Sequence, residues 1–328
     1  MRIAFAGGGR LGTHILNALI DSRHEVVALV QNGRQTKGWR RRVYPLIGRF
    51  TALHVSVTGI AVRHGIPIYW LDKMTEEDLD PLRKFDIDLL IVAGFGIILK
   101  KPLLELPRIG CLNCHSSLLP RNRGPNPFAG TILAGDTETG ISFHIMEEGI
   151  DTGAIVRQFA IPVEPDDNAA TLYINTSRLA GEEIVATVDQ IEQEGLAGTP
   201  QDESQATYLP KITIEESFID WTDSAVHIER CVRAGYPFQM ARLRWKGRTI
   251  YLARSSVVDV ETDAAPGTVA PGTVLQTMPK LQIATGDGVL QIDFAYILKP
   301  IVFTWPGLIG HVRVGDVLDP VQPKEDAP

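Results

Sequence analysis

The chain has 328 residues, of which 44% are hydrophobic and 22% are charged. This composition is typical of a globular protein with a large buried core, and the length favours two domains. The formal net charge of −7 excludes a chain coated overall with basic residues but allows a local basic patch. Three cysteines are too few for a disulfide scaffold, which excludes the small disulfide-rich secreted class.

The N-terminal sequence reaches a run of glycines before an apolar segment of signal-peptide length can form. No uninterrupted apolar run approaches the ~20 residues that a membrane-spanning helix needs. We therefore expect a cytoplasmic enzyme that does not bind a membrane.

Short apolar runs alternate with amphipathic segments in the first half of the chain. The runs at 3–6, 26–30, 66–69 and 89–93 predict buried strands, and the segments at 11–20, 52–63 and 76–84 predict helices. A long amphipathic segment at 169–194 predicts the last helix of this part. Such alternation is typical of an α/β fold with a parallel, doubly wound, Rossmann-like sheet.

The second half has a different character. One helix is predicted at 224–234, and alternating runs at 241–245, 249–254, 272–276, 281–284 and 289–294 predict short strands. Several short strands at this spacing favour a small β-barrel. We therefore predict a catalytic domain at 1–205, a barrel domain at 206–320, a linker at 195–207 across their boundary and a disordered acidic tail at 321–328.

A glycine motif follows the first predicted strand. Gly7-Gly8-Gly9-Arg10-Leu11-Gly12 fits the dinucleotide-binding pattern G-x-G-x-x-G. The acidic residue expected after the second strand is missing, which disfavours NAD, and Arg34 leaves NADP as a minor alternative. The glycines could also serve only close packing of the turn, or form part of an acceptor pocket.

A second motif, Cys111-Leu112-Asn113-Cys114-His115, matches the c-type haem attachment pattern. The segment lies in an apolar strand context, and we find no export signal. We interpret Cys111 and Cys114 as small buried side chains instead of haem, redox or zinc ligands. The eight histidines show no metal-ligand spacing, so we expect no metal.

Three polar residues in and after this motif have no evident structural role. Asn113 and His115 are two residues apart at the carboxyl end of a predicted strand, so they face one cleft. Asp151 lies on a loop flanked by glycines. An Asn, a His and an Asp on adjacent loops are suited to acyl transfer. His144, in an alternating strand, is interpreted as structural, with a place in the acceptor pocket as the alternative.

The pattern Asn113-x-His115-x-Ser117-Leu118-Leu119-Pro120, then Arg123-Gly124 and Gly149-Ile150-Asp151-Thr152-Gly153, resembles the 10-formyltetrahydrofolate-dependent formyltransferases. The resemblance implies a formyltransferase-type Rossmann-like domain, an OB-like second domain, and catalysis by Asn113, His115 and Asp151. It also implies a folate pocket, which is formed by Phe95, Gly96, Ile97, Ile98, Ser117, Leu118, Leu119, Pro120 and Ile150.

The acceptor amine is the open question. The C-terminal half is similar to that of the methionyl-tRNA formyltransferases, and a basic stretch without acidic residues lies between Glu25 and Asp72. Both favour initiator Met-tRNA. However, Gly8-Gly9-Arg10 departs from the tRNA-enzyme pattern, so a nucleotide-linked aminosugar or another small amine stays open. The candidate acceptor-binding residues are Gly8, Gly9, Arg10, Arg34, Lys37, Arg40, Arg41, Arg42 and Arg123.

Two alternative functions do not involve formyl transfer. An NADP-dependent reductase would use the glycine turn, and a non-catalytic tRNA-binding relative would leave Asn113, His115 and Asp151 unexplained.

Overall fold

The computed structural model describes residues 1–34, 36–39, 41, 43, 56–258, 269–296 and 312–319. The chain divides into two compact units. Unit 1 comprises Met1–Pro127, Thr137–Val163 and Thr171–Pro210, and unit 2 comprises Phe128–Asp136, Glu164–Ala170 and Lys211–Pro328.

Unit 1 contains a seven-stranded sheet in the order β3-β2-β1-β4-β5-β6-β7. The first five strands in this order pair in parallel, and β6 and β7 extend the sheet with antiparallel pairing. The expected Rossmann-like sheet, largely parallel, is therefore confirmed. The strands are β1 (Arg2–Gly7), β2 (Glu25–Asn32), β3 (Ile68–Leu71), β4 (Leu89–Ala93), β5 (Gly110–His115), β6 (Glu138–Ile145) and β7 (Ile155–Pro162).

Apolar side chains are buried on both faces of this sheet. In β1, Ile3 and Phe5 join one core cluster, whereas Ala4 and Ala6 join the other, as the alternation of a strand requires. Each fully buried aliphatic or aromatic side chain contributes about 1.5–3 kcal/mol. The helices of unit 1 are α1 (Gly9–Ile20), α2 (Val57–Arg63), α3 (Glu76–Arg83), α4 (Lys101–Leu104) and, apart from its first two residues, α6 (Ala169–Glu194). The helix α5 (Pro127–Ala134) belongs to unit 2 from Phe128 onward.

The strand order reverses beside β1, which lies between β2 and β4. Ligands of open α/β sheets bind at such a switch point, beyond the carboxyl ends of the strands. Here the segments that follow β1 and β4 meet, because the backbone N–H of Gly8 donates to the carbonyl of Ala93 at 3.1 Å. The sheet therefore brings the glycine turn and the segment that begins at Gly94 to one edge.

Unit 2 contains a five-stranded antiparallel sheet in the order β10-β11-β12-β9-β8. Val317 pairs with Thr273 next to β10, and Asp319 pairs with Arg244 on β8, so one short segment joins both edges of the curled sheet. The elements are α7 (Ala225–Gly235), β8 (Arg242–Trp245), β9 (Arg248–Val258), β10 (Val274–Gln276), β11 (Leu281–Ala284) and β12 (Val289–Tyr296). Among the described residues, no helix has the length and apolar character to cross a membrane.

Candidate active site

The candidate site lies where β5 and β6 end in unit 1. Along β5, Leu112 and Cys114 are buried in the core, so the alternation of the strand turns Asn113 and His115 to the other face. On the neighbouring antiparallel strand, His144 is the direct partner of Asn113. Asp151 lies in the turn between β6 and β7 and completes a cluster of four polar side chains.

His115 lies between two oxygen atoms. Its Nε2 is 2.8 Å from the carbonyl oxygen of Asn122, which can only accept, so this nitrogen carries a proton. Its Nδ1 lies 3.6 Å from Oδ2 of Asp151. Burial lowers the pKa of His115, although the charges of Asp151 and the Asn122 carbonyl act in the opposite direction. At neutral pH the ring is therefore uncharged, with its open Nδ1 facing the carboxylate.

Asp151 is held in a conformation that few aspartates adopt. Its φ of 54° is in the left-handed region, which is uncommon for residues other than glycine. Oδ2 accepts the backbone N–H of Gly124 at 2.9 Å. Burial alone would raise the pKa of Asp151, but His144, His115 and the Gly124 N–H together lower it to about 2. The carboxylate is thus ionised throughout the neutral range.

Asn113 and His144 form the second half of the cluster. His144 Nδ1 lies 2.9 Å from the carbonyl oxygen of Ile145 and therefore donates to it. In the neutral ring the other nitrogen, Nε2, accepts from Nδ2 of Asn113 at 2.9 Å. The same nitrogen lies 3.5 Å from Oδ1 of Asp151, to which a protonated ring would donate, and this contact contributes to the lowered pKa of Asp151. The same Asn113 nitrogen is 3.5 Å from Asp151 Oδ1, at the limit of a hydrogen bond. The second N–H of the Asn113 amide therefore makes only a weak hydrogen bond within the protein.

The folate-pocket residues predicted from the sequence divide into two groups. The first follows β4 and the β6–β7 turn, and here apolar side chains are presented to solvent: Ile98 is 63% exposed and Ile150 is 42% exposed, whereas Phe95 is buried. Gly96 has a φ of 70° and Ile97 is half-buried. Exposed apolar side chains of this kind are typical of surfaces that bind planar heterocycles, and contact of this group with a folate stays a prediction.

The second group is the segment Ser117-Leu118-Leu119-Pro120, which neighbouring strands hold in place. Ser117 is fully buried and donates to the carbonyl of Arg121 at 2.7 Å. Ser142 accepts the N–H of Leu119 and donates to the Ser117 carbonyl, and Gln158 donates to the Leu119 carbonyl. These hydrogen bonds hold the backbone of the segment in place. The side chains of Leu118 and Pro120 are half-buried.

A side chain of the protein itself occupies the space at the glycine turn. The hydroxyl of Tyr173, on α6, accepts the backbone N–H of Arg10 at 2.6 Å at the start of α1. Gly9 has a φ of 64°, and a Cβ there would overlap the same hydroxyl. A dinucleotide would place its pyrophosphate at this helix start. The geometry therefore favours close packing over NADP binding, while contacts of Gly8, Gly9 and Arg10 with the acceptor stay predictions.

Several of the predicted acceptor-binding cations already have partners inside the protein. Arg41 forms an ion pair with Asp72 and donates to the carbonyls of Gly33 and Thr36 at 2.8 and 2.7 Å. The pairing lowers the pKa of Asp72. Arg34 donates to the carbonyl of Asp72 at 2.9 Å.

The remaining predicted cations differ in what surrounds them. Lys37 is exposed, and Arg40 and Arg42 lie outside the described residues. Arg123 is buried, and its guanidinium donates to Oε1 of Gln201 and to the carboxylate of Glu203. These bonds tie Arg123 to the segment that contains Gln201 and Glu203, and its contact with the acceptor stays a prediction.

Three contributors to the site were not predicted from the sequence. These are His144 as a member of the cluster, Gln201, whose amide bonds the backbone around Asp151, and the main chain of Asn122 and Gly124. Cys111 and Cys114 are buried as expected, and burial raises the pKa of Cys111 to about 12.

The chain belongs to the formyl transferase family. Residues 1–188 match the formyl transferase family model, and residues 211–296 match the model of its C-terminal domain. Formyl transfer is therefore the activity of the family to which this chain belongs.

Three solved structures illustrate the similarity of the fold. An N-formyltransferase from Helicobacter canadensis, in complex with folinic acid and dTDP-3-aminofucose, is 18% identical, with a TM-score of 0.62 over 88% of this chain and 98% of that chain. WlaRD, a sugar 3N-formyl transferase crystallised with dTDP and 5-N-formyl-THF, is 19% identical, with a TM-score of 0.63 over 89% and 97%.

HypX from Aquifex aeolicus, in complex with tetrahydrofolic acid, is 18% identical, with a TM-score of 0.56. The alignment covers 91% of this chain but 44% of HypX, so the chain spans less than half the length of that protein.

Proposed function

We propose that this protein transfers a formyl group from 10-formyltetrahydrofolate to a primary amine, with Asn113, His115 and Asp151 as catalytic residues. The observation that carries the proposal is the position of His115. Its Nε2 is fixed by the carbonyl of Asn122, and its open Nδ1 faces a carboxylate that is ionised at neutral pH. A neutral base beside a permanent negative charge is suited to accepting a proton and releasing it again.

The reaction forms a bond between the amine nitrogen and the formyl carbon and breaks the bond between that carbon and the folate nitrogen. One proton passes from the amine to the departing nitrogen. Because burial lowers the pKa of His115, its Nδ1 is free to take this proton at pH 7. The imidazolium then faces Asp151 at 3.6 Å, which stabilises it until the proton is passed on.

Asn113 supports the same step from the other side of the cluster. Negative charge develops on the formyl oxygen as the amine attacks. The N–H of Asn113 that is only weakly bonded to Asp151 can donate to this oxygen. Loss of one such donor costs about 10²–10³ in rate in acyl-transfer enzymes.

Apolar residues after β4 and in the β6–β7 turn support a folate as the donor of the formyl group. When bound, the folate supplies the activated formyl group, and Phe95, Ile97, Ile98 and Ile150 would contact its planar ring. Three similar structures were solved with folates or formyl-folates, which supports this assignment.

Initiator Met-tRNA is the acceptor favoured by the sequence, and one observation in unit 2 supports it. Arg242, Arg244, Lys246 and Arg248 form a basic hairpin across β8 and β9. The Arg244 guanidinium lies 4.6 Å from the ring centroid of Phe218, and the Lys246 ammonium lies 4.8 Å from that of Trp245. Cations interleaved with aromatic rings are suited to RNA phosphates and unstacked bases.

A nucleotide-linked aminosugar is the second candidate. Two of the similar structures, whose length this chain nearly matches, are sugar formyltransferases or contain an amino-sugar nucleotide. The internal pairing of Arg41, Arg34 and Arg123 also leaves fewer cations for an RNA in unit 1.

Parallel formyl-transfer assays with charged initiator Met-tRNA and with dTDP-3-aminofucose distinguish the two acceptors. If tRNA is the acceptor, turnover falls steeply as salt rises, and Arg244→Glu with Lys246→Glu raises KM for tRNA. If the aminosugar is the acceptor, the double variant behaves like the wild type. Transfer to neither amine, with 10-formyltetrahydrofolate bound, would exclude both candidates.

A further inference from the structure

The polar segment 199–209 contacts both loops that hold the catalytic groups. Thr199 pairs with Ile155, just after the Asp151 turn. Thr207 accepts the N–H of Asn122 on its side chain at 2.7 Å, and its carbonyl accepts the N–H of Arg123 at 2.9 Å. Segment 199–209 therefore connects the two loops, and we call it the strap. Its sequence shows neither the period of a helix nor that of a strand.

One side chain of the strap bridges the two loops directly. The Nε2 of Gln201 donates to the carbonyls of Asp151 and Gly153, at 2.8 Å each. Its Oε1 accepts from Nε and Nη2 of Arg123, at 3.1 and 2.8 Å. The amide of Gln201 thus bonds to one loop through its nitrogen and to the other loop through its oxygen. The carboxylate of Glu203 accepts from the other edge of the Arg123 guanidinium.

The two loops that Gln201 joins are those that orient His115. Arg123 lies between Asn122, whose carbonyl fixes His115 Nε2, and Gly124, whose N–H fixes Asp151 Oδ2. The other loop holds Asp151 with a φ of 54°, a conformation that the surrounding contacts must maintain. A change in the spacing of the loops would therefore move the carboxylate relative to the imidazole.

We infer that Gln201 is a positioning residue, which fixes the Asp151 carboxylate against His115 by bridging the two catalytic loops. Arg123 and Glu203 support it by holding the oxygen end of the Gln201 amide. The effect of Gln201 on kcat rests on the proposed function, whereas its effect on the position of the Asp151 carboxylate does not.

The test compares Gln201→Met with Gln205→Ala. Methionine keeps the length and volume of glutamine but has no donor. Gln205 lies four residues along the same strap and is exposed, and within the described part of the chain its side chain bonds to Asp202, so its substitution controls for general loosening. Gln201→Asn keeps an amide that is too short to bridge both loops, and it provides the same readouts if Gln201→Met fails to fold.

The first readout needs no substrate. The ¹H–¹³C resonance of the His115 ring, assigned with His115→Gln, is titrated from pH 4 to 8. The groups that face this ring are Asp151, His144 and the Asn122 carbonyl. Once the Asp151 carboxylate moves away, the proton affinity of His115 falls, on the order of 3- to 10-fold. An unchanged titration in both Gln201 variants overturns the inference, whether or not the protein transfers formyl groups.

The second readout is kinetic. We expect kcat to fall on the order of 10- to 100-fold in Gln201→Met, with KM for 10-formyltetrahydrofolate unchanged, because the donor is already bound when the proton must move. Equal losses in Gln205→Ala would show that the whole strap matters and Gln201 has no special part. Absence of formyl transfer by the wild type contradicts the proposed function alone, since the titration still tests Gln201.

Discussion

Asn113 and His144 are direct neighbours across the antiparallel strands β5 and β6, and the amide nitrogen of Asn113 donates to Nε2 of His144 at 2.9 Å. The bond fixes which hydrogen of the amide is left for a substrate. Because His144 Nδ1 donates to a main-chain carbonyl, the ring itself cannot rotate without losing that bond.

We expect His144→Ala to lower kcat on the order of 10- to 100-fold, because Asn113 loses the partner that orients its amide. Binding of the folate, measured by titration, should stay within about twofold of the wild type. His64→Ala, at an exposed histidine outside the cluster, is the matched control. Wild-type kcat in His144→Ala would return His144 to a purely structural role.

The pH dependence of kcat/KM follows from His115. Since burial lowers the pKa of His115 below its ordinary value of 6.5, the base form is complete at neutral pH and is lost as the pH falls. After correction for titration of the acceptor amine, activity should rise with pH through an inflection below 6.5. An inflection above 7 would show that another group is the base.

Asp151 should also contribute to stability in acid. Its folded pKa of about 2 lies below the ordinary value of 3.8, so its contribution, about 2 kcal/mol, is complete above pH 4 and is lost as the pH falls toward 2. The free energy of unfolding of the wild type should thus fall more steeply over this range than that of Asp151→Asn. Asp21→Asn, at an exposed carboxylate, should follow the wild type; parallel curves for all three would contradict the ionisation described for Asp151.

Gly9 offers a test of the glycine turn. Gly9→Ala introduces a Cβ at a φ of 64° and against the Tyr173 hydroxyl, so we expect a loss of on the order of 1–3 kcal/mol in unfolding free energy. Gly38 has a φ of 63°, and a Cβ there would meet no heavy atom of the described residues within 4 Å, so Gly38→Ala is the control for the cost of the backbone conformation. Tyr173→Phe should recover part of the loss. Equal costs at the two glycines would rule out the contact with Tyr173.

Much of the fold could be predicted from the sequence, because long buried segments show their period directly. The strand at Leu89–Ala93 and the helix at Ala169–Glu194 lie at the predicted residues. The antiparallel extension by β6 and β7 was not predicted, since strand direction depends on pairing partners and not on the period of one strand. The sequence therefore could not show that His144 faces Asn113.

The candidate catalytic residues could be predicted from the sequence only because they lie at the end of a predicted strand and in a turn flanked by glycines. Asn113 and His115 share a face because they are two residues apart on one strand. Gln201 left no such signal, because it bonds to main-chain carbonyls that any residue possesses, and the polar segment 195–207 was interpreted as a linker.

The most direct test of the account is a single-turnover assay of formyl transfer from 10-formyltetrahydrofolate, with release of tetrahydrofolate as the readout. Charged initiator Met-tRNA and dTDP-3-aminofucose are offered as acceptors to the wild type, His115→Ala and the control His64→Ala. The account predicts transfer to one of the amines by the wild type and His64→Ala, and none by folded His115→Ala that still binds the folate. Wild-type transfer by His115→Ala would contradict the central claim that the imidazole of His115 moves the proton.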